Sequence, residues 1–408
     1  MLNWVIFEDQ FVGDAAPLTT PRPACAVTCG TRNLYQAVKA FGEPVEVVMR
    51  DYLRPVFSRE FPAVPASAGP ALHVNASLVP ETDALERLAG LARDGRPFMA
   101  THGCRVSAAY APDGALPEGA RSPEAISACL IEKRLPLLDE ELPTIDYSFD
   151  VVRHHMRIFS KELDARVEQG AYRKVADNVY VGEGVRIAET AVLHAEEGPI
   201  VLEDGVRIMD FAYLVGPLLI GPSSRVIERS SVKEGVRIGH TCKIGGEVEE
   251  SVIEDYTNKQ HHGFLGHSYV GSWVNLGAGT SNSDLKNTYG MVRAQVGGKR
   301  VDTGMQFFGC VIGDYSKSAI NTSIFTGKII GVGSMLYGFV TSNVPSFCNF
   351  ARSFGQVTEV APDTAVDMQR RMFARRDVDQ TPEHAELIRE ICERTRNERA
   401  MATEPLSL

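Results

Sequence analysis

Residues 201–245 read VLEDGVRIMDFAYLVGPLLIGPSSRVIERSSVKEGVRIGHTCKIG. One apolar position recurs there every six residues: Leu202, Ile208, Leu214, Ile220, Val226, Val232, Ile238 and Ile244. A helix repeats near 3.6 residues and a strand at 2, so neither template holds its phase along this run. Small or turn-forming residues follow several of the apolar ones, as in IGPSSR and IGHTCK. A fixed short period is the signature of a solenoid. Each short strand turns one aliphatic side chain inward, and the small residues carry the chain round a corner. Three sides close a coil, and stacked coils bury a continuous column of Ile, Leu and Val. A sandwich of short strands would lose the phase within a few turns.

The same spacing precedes this run at Val181, Ile187 and Leu193. It returns at Val270 and Leu276, then at Ile312, Ser318, Ile324, Ile330 and Leu336. The repeat so defined resembles the left-handed parallel β-helix of hexapeptide-repeat acyltransferases, over residues 179 to 345. Two stretches break the phase, 245–263 and 281–309. Insertions in a rigid solenoid are expected to loop out, and such loops commonly carry chemistry.

With 408 residues, two or three domains are expected. Hydrophobic residues make up 44% and charged residues 23%, a soluble globular composition. No run of eighteen apolar residues exists, so no membrane partner is expected. The first residues, MLNWVIFEDQFVGD, carry acids where a signal peptide would be basic, which favours a cytoplasmic location. A net charge of -10 argues against a nucleic-acid partner. It leaves room for small anions, which are held by a few local groups. The eight cysteines are scattered and are read as reduced thiols.

Between the two breaks lies a histidine cluster, in NKQHHGFLGHSYVGSWVNLGAGTSNSDLKNTYG at 258–290. Three readings fit these residues. The histidines can be hydrogen-bonded groups at coil corners. His262 and His267, with His240 about one coil earlier, can make a zinc site, a pattern similar to the trimeric carbonic anhydrases built on this solenoid. One histidine can instead act as a general base, since imidazole titrates near neutrality.

The stretch HHGFLGHSYVGSWVNLGAGT resembles the acyltransferase half of the bifunctional N-acetylglucosamine-1-phosphate uridyltransferase / glucosamine-1-phosphate N-acetyltransferase family. A divergent branch of that family shares more: GGEV at 245, TNKQHHGFLG at 257, NLGAGTSNSDLKNTYG at 275, DTGMQF at 302 and INT at 320. The resemblance implies that His261 is the catalytic base and Asn275 an active-site residue, while Gly277 and Ala278 meet the acetyl-CoA carrier. Lys259, Lys286 and Tyr289 are the candidate contacts to the sugar phosphate. Within that branch His262 and His267 stand at variable positions, which weighs against zinc. A homotrimer is also implied.

Residues 1–170 read as an α/β domain. WVIFED, VEVVMR, ALHVNA, PFMA and VSAAYA fit strands, whereas DALERLAGLARDG and SFDVVRHHMRIFSKELDARVEQG have helical spacing. Their alternation predicts a largely parallel sheet. EDQFVGDAAPLTTPRPACAVTCGTRNLYQAV resembles the sugar-nucleotidyltransferase domain of the same branch. The pattern departs from the wider family in two places. FVGDA stands where a glycine-rich phosphate loop is usual, and Asn75 and Ala76 stand near the usual magnesium-binding Asp. Either Asp9 supplies a hard oxygen ligand for Mg2+ or this half is impaired. Arg22, Arg32 and Lys133 are the candidate phosphate contacts.

The expected organisation is therefore a nucleotidyltransferase-like α/β domain at 1–170, a left-handed parallel β-helix at 171–357 and a helical tail at 358–408. The tail holds two helices with Arg-rich faces, DTAVDMQRRMFARR and TPEHAELIREICERTRNER. The resemblance implies acetyl-CoA-dependent N-acetylation of an amino-sugar 1-phosphate, then nucleotidyl transfer from a nucleoside triphosphate to give UDP-N-acetylglucosamine or a relative. The rival readings are an acyltransferase with a degenerate nucleotide-binding domain, a zinc hydratase and a non-enzymatic scaffold.

Overall fold

The computed structural model describes residues 2–61, 70–112 and 122–400. The chain divides into two compact units, Met1–Tyr147 and Ser148–Leu408.

In the first unit five strands form one sheet. Val45–Val48 and Ala71–Asn75 flank Asn3–Phe7 in parallel, then Arg105–Ala111 and Phe98–His102 complete the order. The strands lie where the apolar runs predict them. Four of the five strands of this sheet share one direction, as expected, and Arg105–Ala111 alone runs against both of its neighbours. The cause is local: Phe98–His102 and Arg105–Ala111 are joined by Gly103 and Cys104 alone, and Gly103 takes φ +54°. A turn that short cannot make a parallel crossover. Helices Thr82–Arg93 and Pro123–Glu132 accompany the sheet, and Ile126 and Leu130 of the second join Phe7, Val106 and Ala109 in its core.

In the second unit the hexad reading becomes three parallel walls. One wall holds nine strands, from Arg173–Ala176 and Val179–Val181 to Lys328–Ile330. All eight apolar hexad positions from Leu202 to Ile244 belong to one buried column, with exposures of 0–2%. Ile187 is 36% exposed, as expected on an end coil covered from one side only. Burying each such side chain contributes roughly 1.5–3 kcal/mol, which explains why the column and not strand length sets the register. At both ends the parallel order is reversed. Arg173–Ala176 runs antiparallel to Val179–Val181, and Gln356–Glu359 antiparallel to Cys348–Ala351.

The two breaks in the phase differ. Residues 281–309 do loop out, as a hairpin of Arg293–Val296 against Lys299–Asp302. Residues 245–263 do not. They continue the coil, with Glu247–Glu249, Val252–Ile253 and Asn258–Lys259 paired in register to the coil before. The period shortens there, at a corner built from Gly245 and Gly246 (φ +70°), so the inward positions become Val248, Ile253, Lys259 and Leu265. Lys259 stands in the column where an aliphatic residue is expected, paired with Ile244.

The helix Asp150–Gln169, expected to end the first domain, lies in the second unit. Its Phe159 and Leu163 pack on Val201 and Leu219 of the first wall, and His155 Nε2 lies 2.9 Å from the Gly235 carbonyl oxygen. At the other end Pro362–Ala374 and Pro382–Arg394 are helical as expected, the latter capped by Thr381 with Pro382 at its first position. Among the described residues no helix is long and apolar enough to cross a membrane.

Candidate active site

Parallel stacking places equivalent positions of successive coils one strand apart, about 4.8 Å. On one wall the residue just before each inward one faces outward. Read along the stack, this outer position is Arg186, Arg207, Arg225, Lys243, Asn258, Asn275 and Lys317. Asn258 and Asn275 are therefore neighbours, their side-chain amides 3.5 Å apart. His261 follows Asn258 round the corner. A pocket of about 320 Å³ opens at this point, lined by His261, Asn275, Gly277 and Ala278 together with Lys243, Arg375 and Arg376. Four residues expected in the acyltransferase site thus share one pocket. His261 and Asn275 are exposed in the single chain.

The glycines of NLGAGT have a steric reason. A Cβ on Gly277 would sit 2.7 Å from the carbonyl of Ala319 on the next coil, and Gly279 takes φ +76°. The Gly277 N–H donates to Ser318. Ala278 accepts at its carbonyl from the Asn321 N–H, and among the described residues its own N–H has no acceptor. A backbone donor beside a base suits a developing oxyanion.

The expected sugar-phosphate contacts are not in this pocket. Lys259 points into the column, 2% exposed, and its ammonium donates to the carbonyls of Gly245 (2.7 Å), Gly263 (2.6 Å) and His261 (3.2 Å). Burial lowers its pKa to about 8. An ammonium so engaged holds the His261 corner from inside and has no donor left for substrate. Lys286 and Tyr289 lie on the looped-out segment. Lys286 donates to the Met291 carbonyl, and Tyr289 is 70% exposed. Both are absent from the pocket lining because the insertion leads them away from the coil.

Nor do the three histidines of the zinc reading converge. His240 pairs with Asp255 at 3.2 Å, and the hydrogen bond it donates to that carboxylate raises its pKa. His267 is held between Asp284 at Nδ1 (2.9 Å) and Glu250 at Nε2. Burial alone would lower the His267 pKa, but Asp284 and then Glu250 outweigh it and lift the value to about 9. An imidazolium that donates one N–H to each of two carboxylates accounts for this residue. Among the described residues, the metal-capable cluster is Glu249, His267 and Asp284, without His240 or His262.

In the first unit Asp9 is buried, and both of its oxygens accept from Arg105, at 2.7 and 2.9 Å, with Asn75 Nδ2 donating at 2.8 Å. A carboxylate neutralised by a guanidinium offers a divalent ion neither charge nor lone pairs. The residues at this position therefore do not fit Mg2+, and Asp9 is corrected to a structural ion-pair partner. Glu8 is likewise taken, by Arg50 and by the Ala24 N–H of the loop that follows PLTTPRP. Arg22 is buried, and its carbonyl accepts from Arg50. Arg32 donates to Thr82 at 2.9 Å from the hairpin formed by CGTR, and Lys133 ends the helix Pro123–Glu132.

Sequence reasoning missed Lys243, Asn258, Arg375 and Arg376 as lining residues. The signal for the first two was present: a polar residue directly precedes each inward position, at a spacing of 18 residues for Arg207, Arg225 and Lys243. No local pattern places Arg375 and Arg376, in the turn after the helix Pro362–Ala374. They arrive through tertiary contact, with Phe373 packed on Trp273 at 4.5 Å between ring centroids.

Residues 4–169 match the model of the sugar nucleotidyl transferase family. The chain is 32% identical over 147 residues to a bifunctional sugar-1-phosphate nucleotidylyltransferase/acetyltransferase of Sulfurisphaera tokodaii, covering 35% of this chain and 36% of that protein. It is 25% identical over 217 residues to the bifunctional protein GlmU of Bartonella quintana, covering 51% and 39%. The chain thus spans well under half the length of these relatives. Among solved structures, Arabidopsis UDP-N-acetylglucosamine acyltransferase aligns with 57% of this chain and 83% of its own at 14% identity, with a TM-score of 0.27. The solenoid assignment rests on the wall geometry above. The family match thus places a sugar nucleotidyl transferase domain at residues 4–169, ahead of a parallel β-helix with a six-residue repeat, in a chain similar over part of its length to bifunctional sugar-1-phosphate nucleotidylyltransferase/acetyltransferases.

Proposed function

We propose that the β-helix unit transfers an acetyl group from acetyl-CoA to the amine of an amino-sugar 1-phosphate. The observation that carries this reading is the single pocket that joins His261, Asn275 and the Gly277–Ala278 backbone across consecutive coils. His261 takes the proton as the amine attacks the thioester carbonyl. The Ala278 N–H stabilises the oxygen on which charge develops. Asn275 orients the amine, and the thiolate of the carrier leaves as the amide forms. The exposure of His261 and Asn275 in a single chain supports a homotrimer in which a second copy covers the pocket.

The first unit is the candidate for nucleotidyl transfer to the acetylated sugar 1-phosphate, giving UDP-N-acetylglucosamine or a related nucleotide sugar. A second reading, acyl transfer alone, is favoured by the Asp9–Arg105 ion pair, which occupies the acid expected to hold Mg2+.

The test is thioester consumption with acetyl-CoA and glucosamine 1-phosphate, comparing wild type, His261→Ala and His262→Ala, with and without a chelator. Loss of a general base costs on the order of a hundredfold or more. Only His261→Ala should collapse, and the chelator should have no effect. Activity absent from wild type, or lost to the chelator, would overturn the reading.

A further inference from the structure

We propose that Lys243, Arg375 and Arg376, backed by Arg225, form a phosphate-binding site beside His261 that takes the phosphate monoester of the amine substrate. The site rests on the acyl-transfer reading of the pocket. It goes beyond that reading by assigning the anion to the turn that ends the helix Pro362–Ala374 and to the outer column.

The charge balance of the pocket carries the argument. The chain has 52 acidic against 42 basic residues, yet the pocket lining contains three cations and no carboxylate. Among the described residues none of these four cations has a salt bridge, whereas Lys233 of the same solenoid is paired with Glu247 and Glu249. Arg376 donates from Nη2 to Asn258 Oδ1 at 2.5 Å, a neutral acceptor that leaves its charge uncompensated. Burial lowers the Lys243 pKa, and repulsion from Arg376, Arg225 and Arg375 lowers it further. Like charges gathered without a counter-charge destabilise the fold unless an anion joins them.

The cluster is also held in place. Arg225 and Lys243 sit on adjacent rungs of the outer column, in register. Arg375 and Arg376 follow Phe373, which is 3% exposed and wedged against Trp273, itself stacked on Tyr256 at 4.1 Å. The Arg376 N–H donates to the Phe373 carbonyl at 2.9 Å. Planar guanidiniums fixed in this way suit a phosphate, which they can meet with paired donors.

Position selects the source of the phosphate. Lys243 is one rung from Asn258 and two from Asn275, about 5 and 10 Å along the wall. The shorter of these is the scale of the separation between an amine, deprotonated by His261, and a phosphate carried on the neighbouring carbon of one sugar ring. A coenzyme phosphate shares the chemistry, and the experiment separates the two.

The full-length chain is assayed with glucosamine 1-phosphate and with glucosamine, and with coenzyme A and 3′-dephospho-coenzyme A as acetyl carriers. Wild type, Arg376→Gln, Lys243→Gln and the conservative Arg376→Lys are compared, with Arg370→Gln as a remote control for lost charge. Losing a charged hydrogen bond corresponds to about a tenfold to hundredfold loss of binding. The Gln variants should raise KM for glucosamine 1-phosphate by that factor with little change in kcat. They should leave KM for glucosamine and for both carriers unchanged, and Arg376→Lys should recover part of the loss. If the variants instead erase only the preference for coenzyme A over its dephospho form, the phosphate site stands and the amine as its source is overturned. Equal preferences in variants and wild type, in both comparisons, overturn the site. Should wild type consume no thioester at all, the acyl-transfer reading fails by itself. Calorimetric titration with inorganic phosphate then decides the site: weaker binding to Arg376→Gln supports it, and equal binding overturns it.

Discussion

The Lys259 ammonium donates to the backbone carbonyl of His261 at 3.2 Å, from inside the solenoid, while the His261 side chain faces out into the pocket. One buried cation therefore positions the candidate base without touching the substrate. Its cost is desolvation, and its gain is three satisfied carbonyls, those of Gly245, His261 and Gly263.

Replacing Lys259 with Met keeps the length and removes the donors. Each orphaned buried carbonyl costs on the order of 1 kcal/mol or more. Acyl transfer should fall about tenfold to a hundredfold through kcat, because misplacement of a catalytic group by about 1 Å is enough for that loss. The wild-type pH dependence has a defined sign. The folded pKa of about 8 lies below the ordinary 10.5, so the unfolded chain binds more protons between these values and stability rises with pH across pH 8 to 10.5. Lys317, lowered to about 8 by burial, acts in the same window. Thermal unfolding of wild type minus Lys259→Met isolates the Lys259 contribution, and a difference independent of pH would contradict it.

His267 titrates in the opposite sense. Its folded pKa of about 9 exceeds the ordinary 6.5. The stabilisation is fully present below pH 6.5 and is lost as pH rises through 9. Its size is about 3 kcal/mol at most, from 1.36 kcal/mol per unit. A His267→Gln variant should be less stable than wild type at pH 6 and should approach it above pH 9, as read by denaturant unfolding. Acyl transfer by this variant should survive a chelator as wild type does.

Phe373→Ala tests what the C-terminal helix contributes. Phe373 is 3% exposed, between Trp273 and His384. Truncating a buried Phe costs about 3–5 kcal/mol where the site cannot collapse. Here the helix can detach, so the loss should appear as local opening. Hydrogen exchange should accelerate over residues 362–394 while the coil column stays protected.

For the first unit, Arg105→Met leaves Asp9 buried and unpaired, which costs about 3–5 kcal/mol. Adding Mg2+ to wild type should not raise the unfolding temperature of this unit. A Mg2+-dependent rise would mean that a ligand set other than Asp9 binds the ion.

The coil was legible because its physics is periodic. Every hexad residue from Leu202 to Ile244 is buried, and each inward aliphatic residue announces the next one. Lys259 was not legible for the same reason read in reverse. A lysine next to histidines suggests a substrate contact, and only the continued register through 245–263 turns it inward. Asp9 was misread on similar grounds, since an acid at a strand end invites a metal until Arg105, distant in sequence, is seen across it. Arg375 and Arg376 required a helix to dock through Phe373, and that contact joins residues a hundred positions apart. Periodic burial is a local property, whereas charge pairing is a tertiary one.

The reversed strands at the two ends of the solenoid have a further consequence. A stack of parallel coils offers, at each end, a row of unpaired amides and carbonyls that could accept the same coil from another molecule, and repeated addition would give a fibre. Arg173–Ala176 is exposed at every position, and with Arg173 and Lys174 it presents positive charge and the wrong chain direction. Gln356–Glu359 reverses direction at the opposite end. Deleting either strand should convert a protein of defined size into one that polymerises along its own axis.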